Sequence, residues 1–268
     1  MALASLLVVG GYAVIALLVA VGALGDSWAL ITGSPFEGPS AAHPAGTNRN
    51  GFDIFSRGLY ATRTAFEIGL VVAGATIVLS AVLGGIAGFA AGTWVDEAVL
   101  WLKGVIDSVP FYLLVVAVAW ALPDDFTYAM HVAMISTFWT TGARYVRGEA
   151  IRLRELEYVS AARALGAGPS RIILCHILPN TVHLLLVQGT LVFVAAIKSE
   201  VILSFLGLGV RNGMSWGLML GEAASEVGRG HYGNLLTASL LMFGLVLAVS
   251  LLADALQDAF DPRRAQEV

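Results

Sequence analysis

Lysine is almost absent from this chain, which carries only Lys103 and Lys198 in 268 residues. A phosphate-binding loop of the GxxxxGK[ST] type needs lysine directly after glycine, and these two follow Leu102 and Ile197, so the chain does not hydrolyse ATP by that device. Cysteine is reduced to Cys175 alone, which excludes an intrachain disulfide. The five histidines show no HExxH and no metal-ligand spacing. His176 and His183 are seven apart, but Pro179 between them is expected to break any shared helix face. A GxSxG nucleophile elbow is missing too. Charged residues make up only 13%, about half the share of an ordinary soluble domain, and the net charge is -4. These absences argue against an enzyme, a resident metal or cofactor, and a nucleic-acid partner.

Apolar side chains fill the space the charges leave. Hydrophobic residues reach 57% and mean hydropathy is +0.80, too apolar for a soluble domain, so the chain reads as an all-α integral membrane protein. Leu3 to Leu24 is uncharged and long enough for a hydrocarbon core of roughly 30 Å. A cleaved signal peptide would need a basic start, and no Lys or Arg precedes Arg49. Further spans are expected over Glu67 to Gly92, Val105 to Leu122, Phe126 to Val146, His183 to Leu206 and Asn234 to Ala253, six in all. Pro123-Asp124-Asp125 marks a turn and Thr93 to Lys103 a short connection. Residues 1–66 then hold the first span and an external segment, and residues 67–268 hold a core of five spans.

Six spans put both termini on one side, and the basic residues choose it. Lys103, Arg144, Arg147, Arg152, Arg154, Arg163, Arg171, Arg263 and Arg264 lie with the polar loop at 147–182, while Arg49, Arg57, Arg63, Arg211 and Arg229 lie opposite. That loop and both termini are therefore expected in the cytoplasm.

Within the loop, Glu155 to Asn180 reads as two short helices with a bend. Glu157 to Leu165 has helical spacing, and Gly166 stands where a helix end takes positive φ. Gly168-Pro169 blocks continuation, Pro169 suits the first position of a second helix at Ser170 to Leu178, and Pro179 is expected to stop it. Small Ala161, Ala162 and Ala164 beside Tyr158 and Arg163 offer a partner a close approach with anchors at the rim.

This stretch resembles the EAA loop of binding-protein-dependent ABC transporter permeases, whose alanines, glycine and terminal Leu-Pro match Ala161, Ala162, Gly166, Leu178 and Pro179. The motif glutamate is replaced by Ser160 and an isoleucine by His176, with Glu157 one turn earlier as a substitute carboxylate. Two more stretches resemble the dipeptide, oligopeptide and nickel branch of that family. One is HPAGTNRNGFDIFSRGLYATR, matching at His43, Pro44, Gly46, Thr47, Gly51, Asp53, Ser56, Arg57, Leu59, Tyr60 and Arg63, with Asn48 and Phe52 replacing an acid and an arginine. The other is Glu200 with LSFLGLG and SWG, and the ending AFDPRRA is similar as well.

The resemblance implies an ABC type I importer permease in a bacterial inner membrane, carrying di- or oligopeptides, or nickel or another small solute. It implies a second homologous permease, two ATPase subunits or domains that bind ATP and Mg, and an extracytoplasmic substrate-binding protein. Glu157, Tyr158, Ser160, Ala161, Ala162, Arg163, Gly166, Pro169 and Pro179 become the expected ATPase-coupling residues. Gly46, Thr47, Gly51, Asp53 and Arg57 form the other motif loop, in which Asp53 and Arg57 at i,i+4 either pair on one helix face or meet substrate. Two rivals stay open: an ion-gradient secondary transporter, though no internal repeat appears, and a non-transporting membrane anchor or assembly factor, which would not explain charges inside the fifth span.

Lys198 and Glu200 lie inside the fifth span, where each charge costs roughly 2.5–3.5 kcal/mol at a helix centre. Two residues apart, they point in different directions. Either they form structural pairs, with Asp107 or Glu67 as acids for Lys198, or they line a translocation path together with Asp107 and contact a substrate carboxylate there.

Overall fold

The computed structural model describes residues 2–123 and 125–260. The predicted turn residue Asp124, the basic pair Arg263 and Arg264, and the motif ending from Asp261 onward lie outside them. The described residues form ten α-helices joined by turns and two isolated β-bridges, Ile31 with Phe52 and Thr47 with Asp53.

In chain order the helices are α1 (Ala2–Ala20), α2 (Ile54–Phe89), α3 (Trp94–Asp107), α4 (Phe111–Ala121), α5 (Ala129–Arg154), α6 (Glu157–Ala164), α7 (Pro169–Ile172), α8 (Leu178–Phe205), α9 (Trp216–Glu226) and α10 (Gly233–Phe260). Four helical stretches are long and apolar enough to cross a membrane: α1, α2, α7 running on through α8, and α10. The bent pair α3 and α4 raises the number to five if it counts as one span. α5 has 26 residues but is not apolar enough to join that group.

Several predicted boundaries change. The third span, expected from Val105 to Leu122, is two helices bent by 97°. Pro110 disfavours helical backbone at the residue before it and cannot donate to the turn behind, so α3 ends at Asp107 and a new helix starts after the proline. The connection expected at Thr93 to Lys103 is helical, with Asp96 and Glu97 in the favourable first turn of α3. The second span starts earlier than Glu67: α2 has 36 residues, about 54 Å at 1.5 Å per residue, and takes in the polar stretch from Ile54.

Pro179 does not stop the hairpin's second helix. The residues from Ile173 to Ile177 form a π-turn, and α8 follows directly with Pro179 as its second residue. A wider turn relieves the clash between a proline ring and the carbonyl four residues back, and no N–H is then missed at that point. Asn180 Nδ2 donates to the His176 carbonyl at 2.6 Å, adding a side-chain bond to the widened turn. His176 and His183 therefore lie on a continuous helical stretch, although no group of metal-ligating residues forms among the described residues.

The chain divides into two compact units. The first comprises residues 1–70 and 193–255: α1, the loop 21–53, the start of α2, the end of α8, α9 and most of α10. The second comprises residues 71–192 and 256–268, with α3 to α7. In the first, α1 buries only Ser5, Ala16 and Val19 and exposes Leu3, Leu7 and Leu17, the inverse of a water-soluble helix. In the second, α2 meets α5 at a small-residue seam. A Cβ on Gly84 would stand 2.5 Å from the Ala143 carbonyl oxygen, and one on Gly88 2.5 Å from the Ala150 Cβ, so only glycine permits this approach.

Candidate functional site

The predicted coupling residues gather in the hairpin formed by α6, α7 and the π-turn. α6 ends in a Schellman motif: the Ala167 N–H donates to the Ala162 carbonyl and the Gly166 N–H to the Arg163 carbonyl, both at 3.0 Å. Gly166 takes φ +86°, a backbone that side chains with a Cβ disfavour. Pro169 opens α7 with its φ already helical. Underneath, Val159, Ile172 and Ile177 are fully buried against Ala150 and Leu153 of α5, with Phe89, Ala167 and Ile173 packed around them.

The opposite face is open. Glu157, Tyr158, Ser160, Ala161, Arg163, Gly166 and Pro169 are exposed, Ala162 is half-buried, and Leu165 is 89% exposed. Pro179 is exposed but belongs to α8. Glu157 forms no ion pair among the described residues, so its carboxylate is available to a partner. Tyr158 leans on the π-turn, its ring centroid 6.1 Å from that of His176 and its hydroxyl 3.5 Å from Asn180 Nδ2.

Charged groups fix the base of this hairpin. Arg147 of α5 holds Asp96 with two bonds, Nε to Oδ1 at 2.6 Å and Nη2 to Oδ2 at 2.8 Å, and the Gly92 N–H donates to the same carboxylate at 3.1 Å. Arg154 Nη1 donates to the Gly88, Phe89 and Ala91 carbonyls at 3.1 to 3.4 Å, placing a cation at the C-terminal end of α2. Arg163 lies over the Phe89 ring, 5.8 Å from its centroid. In the same unit, a cavity of about 460 Å³ is bordered by Tyr145, His183, Gln188 and Gln257.

The other motif loop builds a polar cap in the first unit. Gly46 and Gly51 have φ near +75° and +79°, and a Cβ on either would strike a carbonyl oxygen, that of Glu37 or Gly33. Thr47 Oγ1 donates to the Ser34 carbonyl at 2.6 Å and accepts from the Glu37 N–H at 2.8 Å. Glu37 in turn accepts from the Ser34 N–H at 2.6 Å, and that bond holds its carboxyl below the usual glutamate range.

Asp53 and Arg57 do not pair with each other. Asp53 accepts from the Phe55 N–H at 2.9 Å at the start of α2, with His43 Nδ1 3.8 Å away. Arg57, 4% exposed, donates through Nη1 and Nη2 to Glu222 of α9 at 2.6 and 2.8 Å. A buried guanidinium needs two parallel acceptors, and only a carboxylate from another element presents them; the i,i+4 acid is already used as a helix cap. Asn48 Nδ2 donates to Glu222 at 3.0 Å, Asn234 Nδ2 to Glu226 at 2.9 Å, and the Arg49 N–H to Glu226 at 3.1 Å. Phe52, where the family pattern has arginine, lies under the Arg57 guanidinium at 5.1 Å.

Glu222, Glu226 and Asn234 are partners that sequence reasoning missed. Their one local signal is two acids four residues apart on an otherwise apolar helix, which places both on one face.

The residues expected to line a path have different partners. Asp107 is paired with Lys103. Glu200 is 1% exposed and accepts from Ser204 Oγ at 2.5 Å and from the Ser215 hydroxyl, while the Val210 N–H donates to Ser204 Oγ at 3.1 Å. It clamps the chain reversal after α8. No ion pair joins Lys198 to Glu67, and the Lys198 side chain is exposed.

Comparison with known proteins decides the family. The description "Binding-protein-dependent transport system inner membrane component" matches residues 80–266, more than half of the chain. The chain belongs to this family. It is 36% identical over 226 residues to the dipeptide transport system permease protein DppC of Bacillus subtilis, covering 84% of this chain and 70% of that one. It is 37% identical over 236 residues to a putative peptide transport system permease protein of Brucella abortus, covering 87% and 77%. With the oligopeptide transport system permease protein OppC of Mycobacterium bovis it shares 32% over 226 residues, covering 84% and 77%. Membership makes the chain a multi-pass inner-membrane permease component and not an enzyme.

Proposed function

We propose that this permease forms part of the translocation path of an ATP-driven importer for di- or oligopeptides, and that the hairpin from Glu157 to Ile177 is where ATPase subunits dock. The observation that carries the reading is the hairpin's two-sidedness. Its inner face is fused to α5 by fully buried aliphatic residues, and its outer face offers Ala161, Ala164 and Leu165 to a partner. A lever needs that combination: a rigid attachment and a free contact surface. Closure of the nucleotide-bound ATPases would push on α6, and Arg154 and Arg163 would carry the displacement to the end of α2. The peptide class rests on the names of the relatives. A homologous permease and an extracytoplasmic binding protein complete the complex in this reading.

Ala161→Trp tests it. The exposed site accepts the larger ring without disturbing Val159 or Ile172 beneath, so assembly with the partner permease is retained. The ATPase subunits are expected to separate on purification, with uptake reduced at least about tenfold, the equivalent of some 1.4 kcal/mol. Normal uptake with ATPases still bound would refute the coupling role.

A further inference from the structure

Exposed stripes on two helices of the first unit differ in character. On α10 the stripe is Leu236, Leu240, Phe243, Leu247 and Leu251, apolar throughout, as contact with lipid requires. On the last turns of α8, Ile202 and Phe205 are 42% and 48% exposed, and Lys198 shares their face at the i, i+4, i+7 spacing. An ammonium in such a stripe is not satisfied by hydrocarbon; it needs water or an anion. Among the described residues it has neither an ion pair nor a hydrogen bond.

Phe205 leads from that stripe into a cavity of about 400 Å³, whose border also includes Arg49, Met214, Leu218 and Glu222. That volume lies within the roughly 300–1,000 Å³ typical of small-ligand pockets. Its carboxylate, Glu222, is already taken up by Arg57 and Asn48. The Arg49 side chain is exposed and holds no ion pair, so the charge the cavity offers to a ligand is positive. Lys198 lies seven residues, or about 10.5 Å, further along α8 from Phe205.

We infer that Arg49 and Lys198 form a track for the free carboxylate terminus of a peptide, Arg49 receiving it at the cavity and Lys198 two turns further along α8. This rests on the peptide reading above and adds to it the end of the substrate that the permease recognises. Complementary charge is the argument: one unpaired cation, Arg49, borders the cavity, a second, Lys198, lies on the exposed α8 face that Phe205 joins to it, and the cavity's carboxylate, Glu222, is already engaged.

The experiment uses the complete transporter in proteoliposomes, with dialanine and its C-terminal amide as paired probes. Lys198→Gln is expected to lower dialanine uptake about tenfold through KM, to leave the amide unchanged, and Lys198→Arg to retain dialanine uptake. Equal losses for both probes, as from a structural ion pair with the partner permease, would overturn the inference, as would no loss for either. If Lys198→Gln does not assemble, Arg49→Gln at the exposed cavity border carries the same comparison. A parent complex that moves neither probe while its ATPases stay bound would remove the peptide reading itself, and this track with it.

Discussion

In the hairpin from Glu157 to Ile177 the fully buried side chains are Val159, Ile172 and Ile177, whereas in the cap of the first unit the residues at comparable burial are Asn48, Arg57, Glu226 and Asn234. The hairpin thus keeps its charges, Glu157 and Arg163, outside, whereas the cap buries Arg57 and Glu226. Apolar burial is non-directional and tolerates small shifts, which suits the docking role proposed for the hairpin. A bidentate guanidinium–carboxylate pair is directional and fixes register between segments that hydrophobic contact alone would let slide. The same contrast sets how each region fails. Losing one partner of the buried pair strands a charge, while trimming the hairpin core leaves only a cavity.

The largest effect that would sharpen this contrast is at Arg57. Arg57→Ala leaves Glu222 without its cation; loss of one partner of a fully buried pair costs about 3–5 kcal/mol, and the loss here is at or below the lower end because the Glu222 side chain is 22% exposed and keeps its bond from Asn48. Thermal unfolding of the purified complex should show a clear fall in midpoint. The double variant Arg57→Met with Glu222→Met should recover most of it, because the desolvated charges leave together. No recovery would mean that the pair does more than satisfy its own burial.

Next comes Ile172→Ala in the hairpin core. Removing a fully buried isoleucine side chain costs about 2–5 kcal/mol, less where the site collapses. The loss is local: limited proteolysis should cut within 157–177 faster while the spans resist. Global unfolding with this variant would contradict the picture of an appended rigid lever.

The smallest effect concerns Glu37. Its folded pKa is depressed, so the bond from the Ser34 N–H contributes above the unfolded value near 4.3 and is lost as pH falls through the folded value. Hydrogen exchange of that amide should accelerate, relative to neighbouring amides, only at acid pH. An unchanged ratio down to pH 3 would remove this bond from the cap.

Much was legible before any fold was known. The apolar runs, Gly166 with its positive φ and Pro169 at the head of α7 are local matters, fixed by hydration and backbone sterics within a few residues, and the hairpin's first helix came out at its predicted bounds within a residue. Composition alone placed the chain in a membrane, since an apolar excess of this size has no other solvent. The tertiary structure decided what lies between distant residues. Arg57 had an acid four residues away and took Glu222, 165 residues on, because its neighbour was already capping a helix. Pro179 is of a type that ends helices, yet the π-turn before it lets the helix continue, and Pro110 turns one expected span through 97°. A carboxylate carries no mark of which cation it will meet, and a proline none of whether the turn before it will widen. Geometry settles both, through the packing of segments far apart in the chain.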